Sequence, residues 1–326
     1  MPAFNAGKYV ADAINSIIKQ TYTDWELVIV DDCSKDNTVR IIEEYKKKYP
    51  QIKLIKRDKN SGGCRLPRFD AILAAKGEFV CPIDSDDTIE PEYLEKLIKR
   101  QTETSAEIVL SRMIVCNEHL SPNGKTIPTQ DCPIRTIFTG KEACKKTIGG
   151  WELGMNGLLA KTGLYQKYIN GVYEASYNGA YADEIDHRRL LLCAKKVSMT
   201  DAKYFYRQQP TSIVHSVSAQ SYNGLITNQE LLRFVINNFT EESILQKVYN
   251  EYITNLYRAQ QKLCLHYTAY SKAEINNIKN LIKEHYIYIK SKDIKFTDCR
   301  NKLLASSYTI FRLYSIVLSL LIRITK

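Results

Sequence analysis

Three carboxylates follow a short apolar segment in the first third of the chain. The segment Phe79–Ile83 has the length and composition of a buried strand, and Asp84, Asp86 and Asp87 come directly after it. In an open α/β sheet, ligands bind beyond the carboxyl ends of the strands. Closely spaced carboxylates repel one another unless a cation or hydrogen-bond donors compensate their charge. Because Mg²⁺ commonly joins one or two carboxylates to a phosphate, the pattern predicts a divalent cation site. The structural alternative is an acidic turn in which Asp87 caps the next helix.

A second acidic cluster follows another apolar segment. Leu27–Val30 is rich in β-branched residues and leads into Asp31 and Asp32. Two parallel strands of one sheet that both end in carboxylates place them along the same edge of the sheet. The two clusters together therefore favour a binding site over two unrelated turns.

The surrounding elements alternate between strands and helices of about ten residues. Helices are predicted at 7–19, 37–48, 67–76 and 92–101, and strands at 27–30, 52–55, 79–83 and 108–111. This alternation predicts βαβ units and an α/β fold with a mostly parallel, Rossmann-like sheet flanked by helices. Beyond residue 218 the pattern is helical, at 219–238, 241–266, 272–289 and 300–322. We therefore expect an α/β domain at 1–216 and a helical region at 217–326.

The amino end departs from this pattern. A doubly wound domain usually opens with an apolar strand, yet a helical pattern begins within six residues of Met1. The sequence predicts that the first strand is missing, and favours Met1 being an internal methionine of a longer natural protein.

Composition indicates a globular protein of a reducing compartment. The 326 residues are 44% hydrophobic and 25% charged. The nine cysteines lack the spacing of a disulfide framework or of a metal site. The net charge is +10, of which residues 241–326 contribute +7 with 14 Lys/Arg and 7 Asp/Glu. No nucleic-acid-binding motif accompanies this basic region. We expect a cytoplasmic protein without a secretory signal, at the inner face of the cell membrane.

The carboxyl-terminal apolar run suggests a surface contact. Leu313–Ile322 is apolar except for two serines and has arginines on both sides. It is too short to span a bilayer but suits a helix lying in the headgroup region, which predicts peripheral membrane contact. The alternative is packing on the enzyme itself or on a second protomer of a homodimer.

The motifs in their order resemble the inverting nucleotide-sugar glycosyltransferases of the GT-A fold (family 2), which build capsule and lipopolysaccharide. The resemblance covers about residues 1–216 and implies that this part is the nucleotide-sugar-binding and catalytic domain. Five segments match motifs of that family: Pro2-Ala-Phe-Asn5, Val30-Asp-Asp-Cys-Ser-Lys-Asp36, Asn60-Ser-Gly-Gly63 with Arg68, the Asp-x-Asp motif Asp84-Ser-Asp86, and Ala182-Asp183 followed by Arg189-Leu-Leu191 and Tyr204-Phe-Tyr-Arg207. Two positions depart from the pattern: Ala182 replaces a Glu, and Pro67-Arg68-Phe69 replaces Ala-Arg-Asn.

The resemblance implies a fold, a reaction and a set of residue roles. It implies a Mn²⁺- or Mg²⁺-dependent transfer from a UDP-sugar to a glycan or polyprenyl-linked acceptor, with inversion. Donor-binding roles fall on Pro2, Phe4, Asn5, Asp32, Arg68, Asp84 and Ser85. Asp32 is expected to accept the imide N–H of uracil. Asp86 is the expected metal ligand, joined by His215, and Trp151 and Asn156 are expected in the acceptor pocket. Asp183 is the expected general base, with Glu184 and Asp186 as rivals.

Two other functions remain open from the residues alone. A nucleotidyltransferase also uses acidic strand ends and Mg²⁺, but it needs a Gly-rich phosphate loop near its start, and Gly62-Gly63 lies after the first acidic cluster. A non-catalytic scaffold that keeps the fold is the second alternative.

Overall fold

The computed structural model describes residues 1–128, 134–150, 152–172, 182–209, 217–292, 296 and 298–324. They group into two compact units, Met1–Pro210 and Thr211–Lys326. Whether these units are the independent domains that the sequence predicts stays a prediction.

The first unit opens with a small parallel sheet. Its elements are β1 (Pro2–Ala3), α1 (Val10–Ile18), β2 (Leu27–Asp31), α2 (Thr38–Lys48), β3 (Ile52–Lys56) and α3 (Arg65–Leu73). The strand order is β1-β2-β3, and both pairings are parallel. The sequence predicts that the first strand is missing, and the structure has a strand of two residues there, because Pro2 and Ala3 pair with Val30 and Asp31.

A second, mixed sheet completes this unit. Its elements are β4 (Phe79–Val80), β5 (Thr88–Ile89), α4 (Tyr93–Thr104), β6 (Ile108–Cys116), β7 (Pro122–Ile127), β8 (Ile137–Phe138), α5 (Gly140–Lys145), β9 (Leu159–Lys161), α6 (Thr162–Val172), α7 (Ala182–Cys193) and β10 (Val197–Arg207). The order is β4-β9-β6-β10-β5, with β7 beside β6 and β8 beside β10.

The α/β architecture is confirmed, but fewer pairs of neighbouring strands are parallel than expected. In the second sheet β6 and β10 are parallel, whereas the other recorded pairs are antiparallel. A parallel neighbour needs a crossover of a dozen or more residues. The connection from β6 to β7 has only the residues 117–121, so that pair can only be antiparallel.

The core of the unit explains why the strand ends are ordered. The apolar face of α1 buries Val10, Ile14 and Ile17 in one cluster with Ile29 of β2 and Tyr93 of α4. Since each buried methyl-bearing side chain stabilises the fold by about 1.5–3 kcal/mol, this packing fixes where the acidic residues after β2 emerge.

The second unit is helical among its described residues. Its helices are α8 (Gly224–Asn238), α9 (Glu242–Leu265), α10 (Lys272–Lys290), α11 (Cys299–Ser306) and α12 (Tyr308–Ile324). The single helix predicted at 300–322 is two helices, because Ser307 is extended with φ −151° and ψ 154°. An exposed apolar stripe runs along α12 and comprises Ile310, Leu313, Val317 and Leu321. Its contact with a membrane or a second protomer stays a prediction.

Within the described part of the chain, no helix combines the length and apolarity that crossing a membrane requires.

Candidate active site

The acidic loop after β4 is tied to β10 by its last carboxylate. Asp87 is fully buried; its oxygens accept hydrogen bonds from the backbone N–H of Arg207 and the hydroxyl of Tyr204, both at 2.7 Å. Burial and the neighbouring Asp86 and Asp84 raise the pKa of Asp87 well above its usual value. Asp87 therefore anchors the loop. It does not cap a helix, since α4 begins at Tyr93 with Glu92 as its N-cap.

Asp86 carries negative charge that its surroundings compensate only weakly. Burial and the adjacent Asp84 raise the pKa of its carboxyl to about 6. The side-chain amide of Gln209 donates to one of its oxygens, and the Arg207 guanidinium donates to its backbone carbonyl at 2.7 Å. The loop is thus held in place while the carboxylate keeps acceptor capacity for a cation.

Asp84 is compensated by an arginine of α3. Arg68 donates through Nη2 to the carboxylate of Asp84 at 2.8 Å. Burial opposes ionisation of Asp84, but the Arg68 guanidinium holds the pKa of this carboxyl below its usual value. The backbone N–H of Asp84 donates to the Tyr204 hydroxyl at 3.2 Å, so Tyr204 fixes both ends of the acidic loop.

Arg68 also reaches the expected base. Its Nη1 lies 3.4 Å from Oδ2 of Asp183 in the first turn of α7. Arg68 is 5% exposed, whereas the side chains of Asp84 and Asp183 are 26% and 31% exposed. The structure thus brings three predicted residues, Arg68, Asp84 and Asp183, into one cluster whose two carboxylates are partly exposed.

The two rivals of Asp183 are engaged elsewhere. Asp186 is buried and accepts from Arg65 at 2.6 Å and from the hydroxyl of Tyr168. Burial raises the pKa of Asp186 despite the Arg65 charge. Glu184 lies 3.3 Å from Arg188 on the same helix. Asp183 is therefore the one of these three carboxylates that pairs with Arg68.

A buried histidine stands one turn along α7 from Asp183. His187 is 8% exposed, and burial lowers its pKa to about 4. It is therefore neutral at physiological pH, in spite of the nearby carboxylates.

The first acidic cluster is satisfied by its own loop. Asp32 is 2% exposed and accepts from the Asn60 amide at 3.0 Å, the Ser61 N–H at 3.0 Å and the Ser61 hydroxyl at 2.9 Å. Arg57 Nε lies 3.2 Å from its other oxygen. Among the described residues, no hydrogen bond or ion pair joins Asp32 to Asp84 or Asp86. Their expected convergence on one diphosphate stays a prediction.

The predicted amino-terminal residues adjoin this first cluster. Asn5 has φ +48°; its N–H donates to the Ser34 hydroxyl at 2.9 Å, and its side-chain oxygen accepts from the N–H of Lys35 at 2.8 Å. Pro2 lies in β1, and Phe4 is 50% exposed. Asn5 therefore orders the turn after β2.

Of the residues predicted to bind the acceptor or to be a second metal ligand, the structure describes Asn156. Asn156 is half-buried, and its carbonyl accepts from the Ser111 hydroxyl at 3.1 Å. Gly157 follows with φ +65°, and a Cβ there would lie 2.2 Å from Oη of Tyr93. Trp151 and His215 lie outside the described residues. Ser85 is half-buried within the acidic loop.

Sequence reasoning missed the residues that hold the loop. Tyr204 and Arg207 hold the acidic loop after β4 in place through hydrogen bonds, and Gln209 donates to Asp86. Arg65 ties α3 to α7. The Tyr-Phe-Tyr-Arg motif at 204–207 gave a signal for two of them, but a motif does not show which loop its side chains contact.

The donor set fits a hard divalent cation. Asp84 and Asp86 supply carboxylate oxygens, which such ions prefer, and the raised pKa of Asp86 reflects charge that a cation would neutralise. Within the described residues, no three His, Cys, Asp or Glu side chains cluster as a complete protein-only metal site. A diphosphate would have to supply further oxygens.

Comparison with known proteins identifies the class. Residues 1–158 match the family "Glycosyl transferase family 2". TarP of Staphylococcus aureus, a poly(ribitol-phosphate) beta-N-acetylglucosaminyltransferase, is 36% identical over 277 residues, which cover 80% of this chain and 79% of TarP. The glycosyltransferase GlyG of Streptococcus pneumoniae is 27% identical over 66% of this chain and 72% of its own length.

Other relatives are much longer than this chain. TarS of S. aureus, also a poly(ribitol-phosphate) beta-N-acetylglucosaminyltransferase, is 37% identical over 213 residues, and the match spans 34% of its length. The crystal structure of TarS residues 1–349 with UDP-GlcNAc superposes with a TM-score of 0.62 at 21% identity, covering 90% of this chain and 91% of that one. This likeness shows the fold alone.

The chain therefore belongs to glycosyl transferase family 2. It is a glycosyltransferase with the GT-A fold, as the resemblance implied, and family membership decides against the nucleotidyltransferase alternative.

Proposed function

We propose that this protein is a metal-dependent, inverting glycosyltransferase that moves a sugar from a UDP-sugar to a glycan or lipid-linked glycan acceptor in cell-surface polysaccharide synthesis. The observation that carries the proposal is Arg68, which contacts the donor-side carboxylate Asp84 and the base candidate Asp183 together. These two contacts support a site in which the donor and the acceptor of a transfer reaction meet.

The donor is a UDP-sugar, and UDP-GlcNAc is the first to test. TarS has been crystallised with UDP-GlcNAc, and the names of TarS and TarP specify N-acetylglucosaminyl transfer. Asp32 contributes to donor binding by holding the loop of Asn60 and Ser61 beside the nucleotide.

Asp183 performs the proton transfer. Its carboxylate takes the proton of an acceptor hydroxyl as the hydroxyl oxygen attacks the anomeric carbon. The new glycosidic bond forms while the bond from that carbon to the diphosphate oxygen breaks, and UDP leaves. A single in-line displacement inverts the anomeric configuration. Arg68 orients Asp183 for this step, since a base must lie within hydrogen-bond reach of the proton that it removes.

A Mn²⁺ or Mg²⁺ ion held by Asp84 and Asp86 would neutralise the charge that develops on the departing diphosphate.

The acceptor is an anionic or lipid-linked glycan. The names of several relatives specify poly(ribitol phosphate) as acceptor, which is a polyanion. The net charge of +10 favours association with such a polymer, because the electrostatic field of a positively charged protein attracts a polyanion over a long distance. Asn156 belongs to the acceptor side of the cleft in this proposal.

Substitution of Asp183 tests the mechanism. Asp183→Asn is expected to lower transfer from UDP-GlcNAc by roughly 100-fold or more, because the base is lost. Donor binding is expected to persist, as an increase in melting temperature with UDP-GlcNAc and Mn²⁺. The matched control is Glu184→Gln, one residue away and paired with Arg188, which should keep most of the activity.

Two results would contradict the proposal. Near-normal turnover by Asp183→Asn would remove the base assignment. Absence of UDP release by the unmodified protein with every UDP-sugar and Mn²⁺ would favour the scaffold alternative.

A further inference from the structure

Two polar side chains near Asp183 and Asp84 take no part in the contacts described above. They are His187 of α7 and Tyr206 of β10; His187 is 8% exposed and Tyr206 is half-buried. Within the part of the chain that the structure describes, neither ring nitrogen of His187 and not the hydroxyl of Tyr206 is engaged in a hydrogen bond. Burying a polar group without a partner destabilises a fold, so both groups are candidates for contact with a ligand.

The helix α7 places His187 next to the expected base. His187 follows Asp183 by four residues on this helix, and side chains four residues apart are neighbours on one helix face. Asp183 in turn lies 3.4 Å from Nη1 of Arg68. The charges that act on the His187 ring agree with this placement, because they include those of Asp183, Arg68 and Asp84. His187 therefore lies on the face of α7 that adjoins the site.

The strand β10 places Tyr206 beside the acidic loop. Alternate residues of a strand point to the same face, so Tyr206 lies on the face of Tyr204. The Tyr204 hydroxyl donates to Asp87 at 2.7 Å and accepts from the N–H of Asp84 at 3.2 Å. The Tyr206 ring packs against the apolar core of the unit, and the carboxylates that act on its hydroxyl are those of the acidic loop and of Asp183. Packing therefore fixes the ring and leaves the hydroxyl near the loop.

The sugar of a bound donor would lie where these two groups are. This placement rests on the proposed function, in which the anomeric carbon is bonded to a diphosphate on the side of Asp84 and Asp86. The same carbon is attacked by a hydroxyl that Asp183 deprotonates. The sugar ring must therefore lie between the acidic loop and the first turn of α7, beside His187 and Tyr206.

Both groups suit the hydroxyl and amide groups of a sugar better than they suit a phosphate. Burial lowers the pKa of His187 to about 4, so its ring is neutral at physiological pH and has one donor and one acceptor. A phenol also both donates and accepts, and sugar hydroxyls do the same. Phosphate oxygens only accept, and they are bound most strongly by cationic donors.

We propose that His187 and Tyr206 bind the transferred sugar of the donor through hydrogen bonds from the imidazole and the phenol to its hydroxyl or N-acetyl groups. These contacts hold the anomeric carbon between the Asp183 carboxylate and the departing diphosphate. A site built to hydrogen-bond a substrate group rejects an analogue that lacks the group, since the polar atoms of the site are then left unpaired. His187 and Tyr206 are thus specificity-determining residues of the transfer.

The test compares the affinity for UDP with the affinity for a UDP-sugar, both measured by calorimetric titration with Mn²⁺ present. UDP has the nucleotide and the diphosphate but no sugar. UDP-GlcNAc and UDP-glucose are both titrated, and the one that the unmodified protein binds more tightly serves as the reference donor.

Four variants are compared with the unmodified protein. His187→Leu and Tyr206→Phe remove the polar atoms and keep most of the side-chain volume, whereas His187→Gln keeps a donor and an acceptor. Tyr45→Phe is the matched control, because Tyr45 lies in α2 and its ring packs against the same apolar core as Tyr206.

His187→Leu and Tyr206→Phe are each expected to weaken binding of the reference donor about 3- to 10-fold, which corresponds to one hydrogen bond, and to leave UDP binding unchanged. His187→Gln should lose less affinity than His187→Leu, and Tyr45→Phe should match the unmodified protein with both ligands. The melting temperature of the ligand-free His187→Leu protein should not fall, which separates ligand binding from a structural role of the ring.

Three results would contradict these expectations. Unchanged affinity for the reference donor in both variants would overturn the sugar-binding role and leave the proposed transferase function standing. An equal loss of affinity for UDP would overturn it as well, because the two groups would then act on the diphosphate or on the loop. If the unmodified protein binds neither UDP-sugar, the proposed function fails, and with it the sugar-binding role of both residues.

Discussion

Asp32, which follows β2, is surrounded by hydrogen-bond donors from its own loop. Asp86, which follows β4, has few hydrogen-bond donors and lies beside two further carboxylates, Asp84 and Asp87. The contacts of Asp32 with Arg57, Asn60 and Ser61 leave its charge compensated. The pKa of Asp86, raised to about 6 by burial and by Asp84, shows the opposite condition. The same residue type after two strands is thus compensated by the protein in one place and largely uncompensated in the other.

The largest effect is expected from removing the compensated carboxylate. Asp32→Ala removes the acceptor of the Ser61 N–H and one acceptor of the Asn60 amide. It also removes the carboxylate beside Arg57 Nε, and together these losses should lower the free energy of unfolding by about 2–4 kcal/mol. Urea denaturation measures this. Asp32→Asn, which keeps some acceptor capacity, should lose less. If Asp32→Ala unfolds like the unmodified protein, the contrast between the two clusters is wrong.

An intermediate effect is expected at the residue that positions Asp86. Gln209→Leu removes the donor to its carboxylate, and loss of such a supporting hydrogen bond should raise the Mn²⁺ concentration for half-maximal turnover about tenfold. Gln208→Leu is the neighbouring control. An unchanged Mn²⁺ requirement would show that Gln209 does not support a metal ligand.

The smallest effect has the opposite sign. Asp86→Asn should stabilise the metal-free protein above pH 6 by about 1 kcal/mol, after allowance for solvent screening. The unfolded state releases the Asp86 proton near pH 4 and the folded state only near pH 6, so the destabilising contribution of Asp86 grows between these values and is constant above them. Thermal unfolding from pH 4 to 8 measures it.

The control for that prediction is activity. The same Asp86→Asn protein should lose transfer by about 100-fold or more, because metal stabilisation of the transition state is worth several kcal/mol. If the Asp86→Asn variant is neither more stable nor less active, the charge of Asp86 is compensated within the protein, as the charge of Asp32 is.

The sequence selected several residues that lie together, but it did not predict all of their contacts. Asp84, Arg68 and Asp183 were selected from motifs and lie together, because Arg68 of α3 pairs with both the acidic loop after β4 and the first turn of α7. The role of Asp87 was misjudged, since its partners Tyr204 and Arg207 are more than a hundred residues away. Trp151 and His215 fall outside the described residues, and their roles stay predictions.

The sequence by itself determined the α/β architecture, the order of the elements and the positions of the acidic strand ends. These follow from hydrophobic periodicity and turn chemistry, which are local. Only the tertiary structure decided that Asp32 is satisfied internally and that Asp183 and not Asp186 pairs with Arg68. Each of these depends on contacts between residues far apart in the chain, and local propensity does not encode such distances.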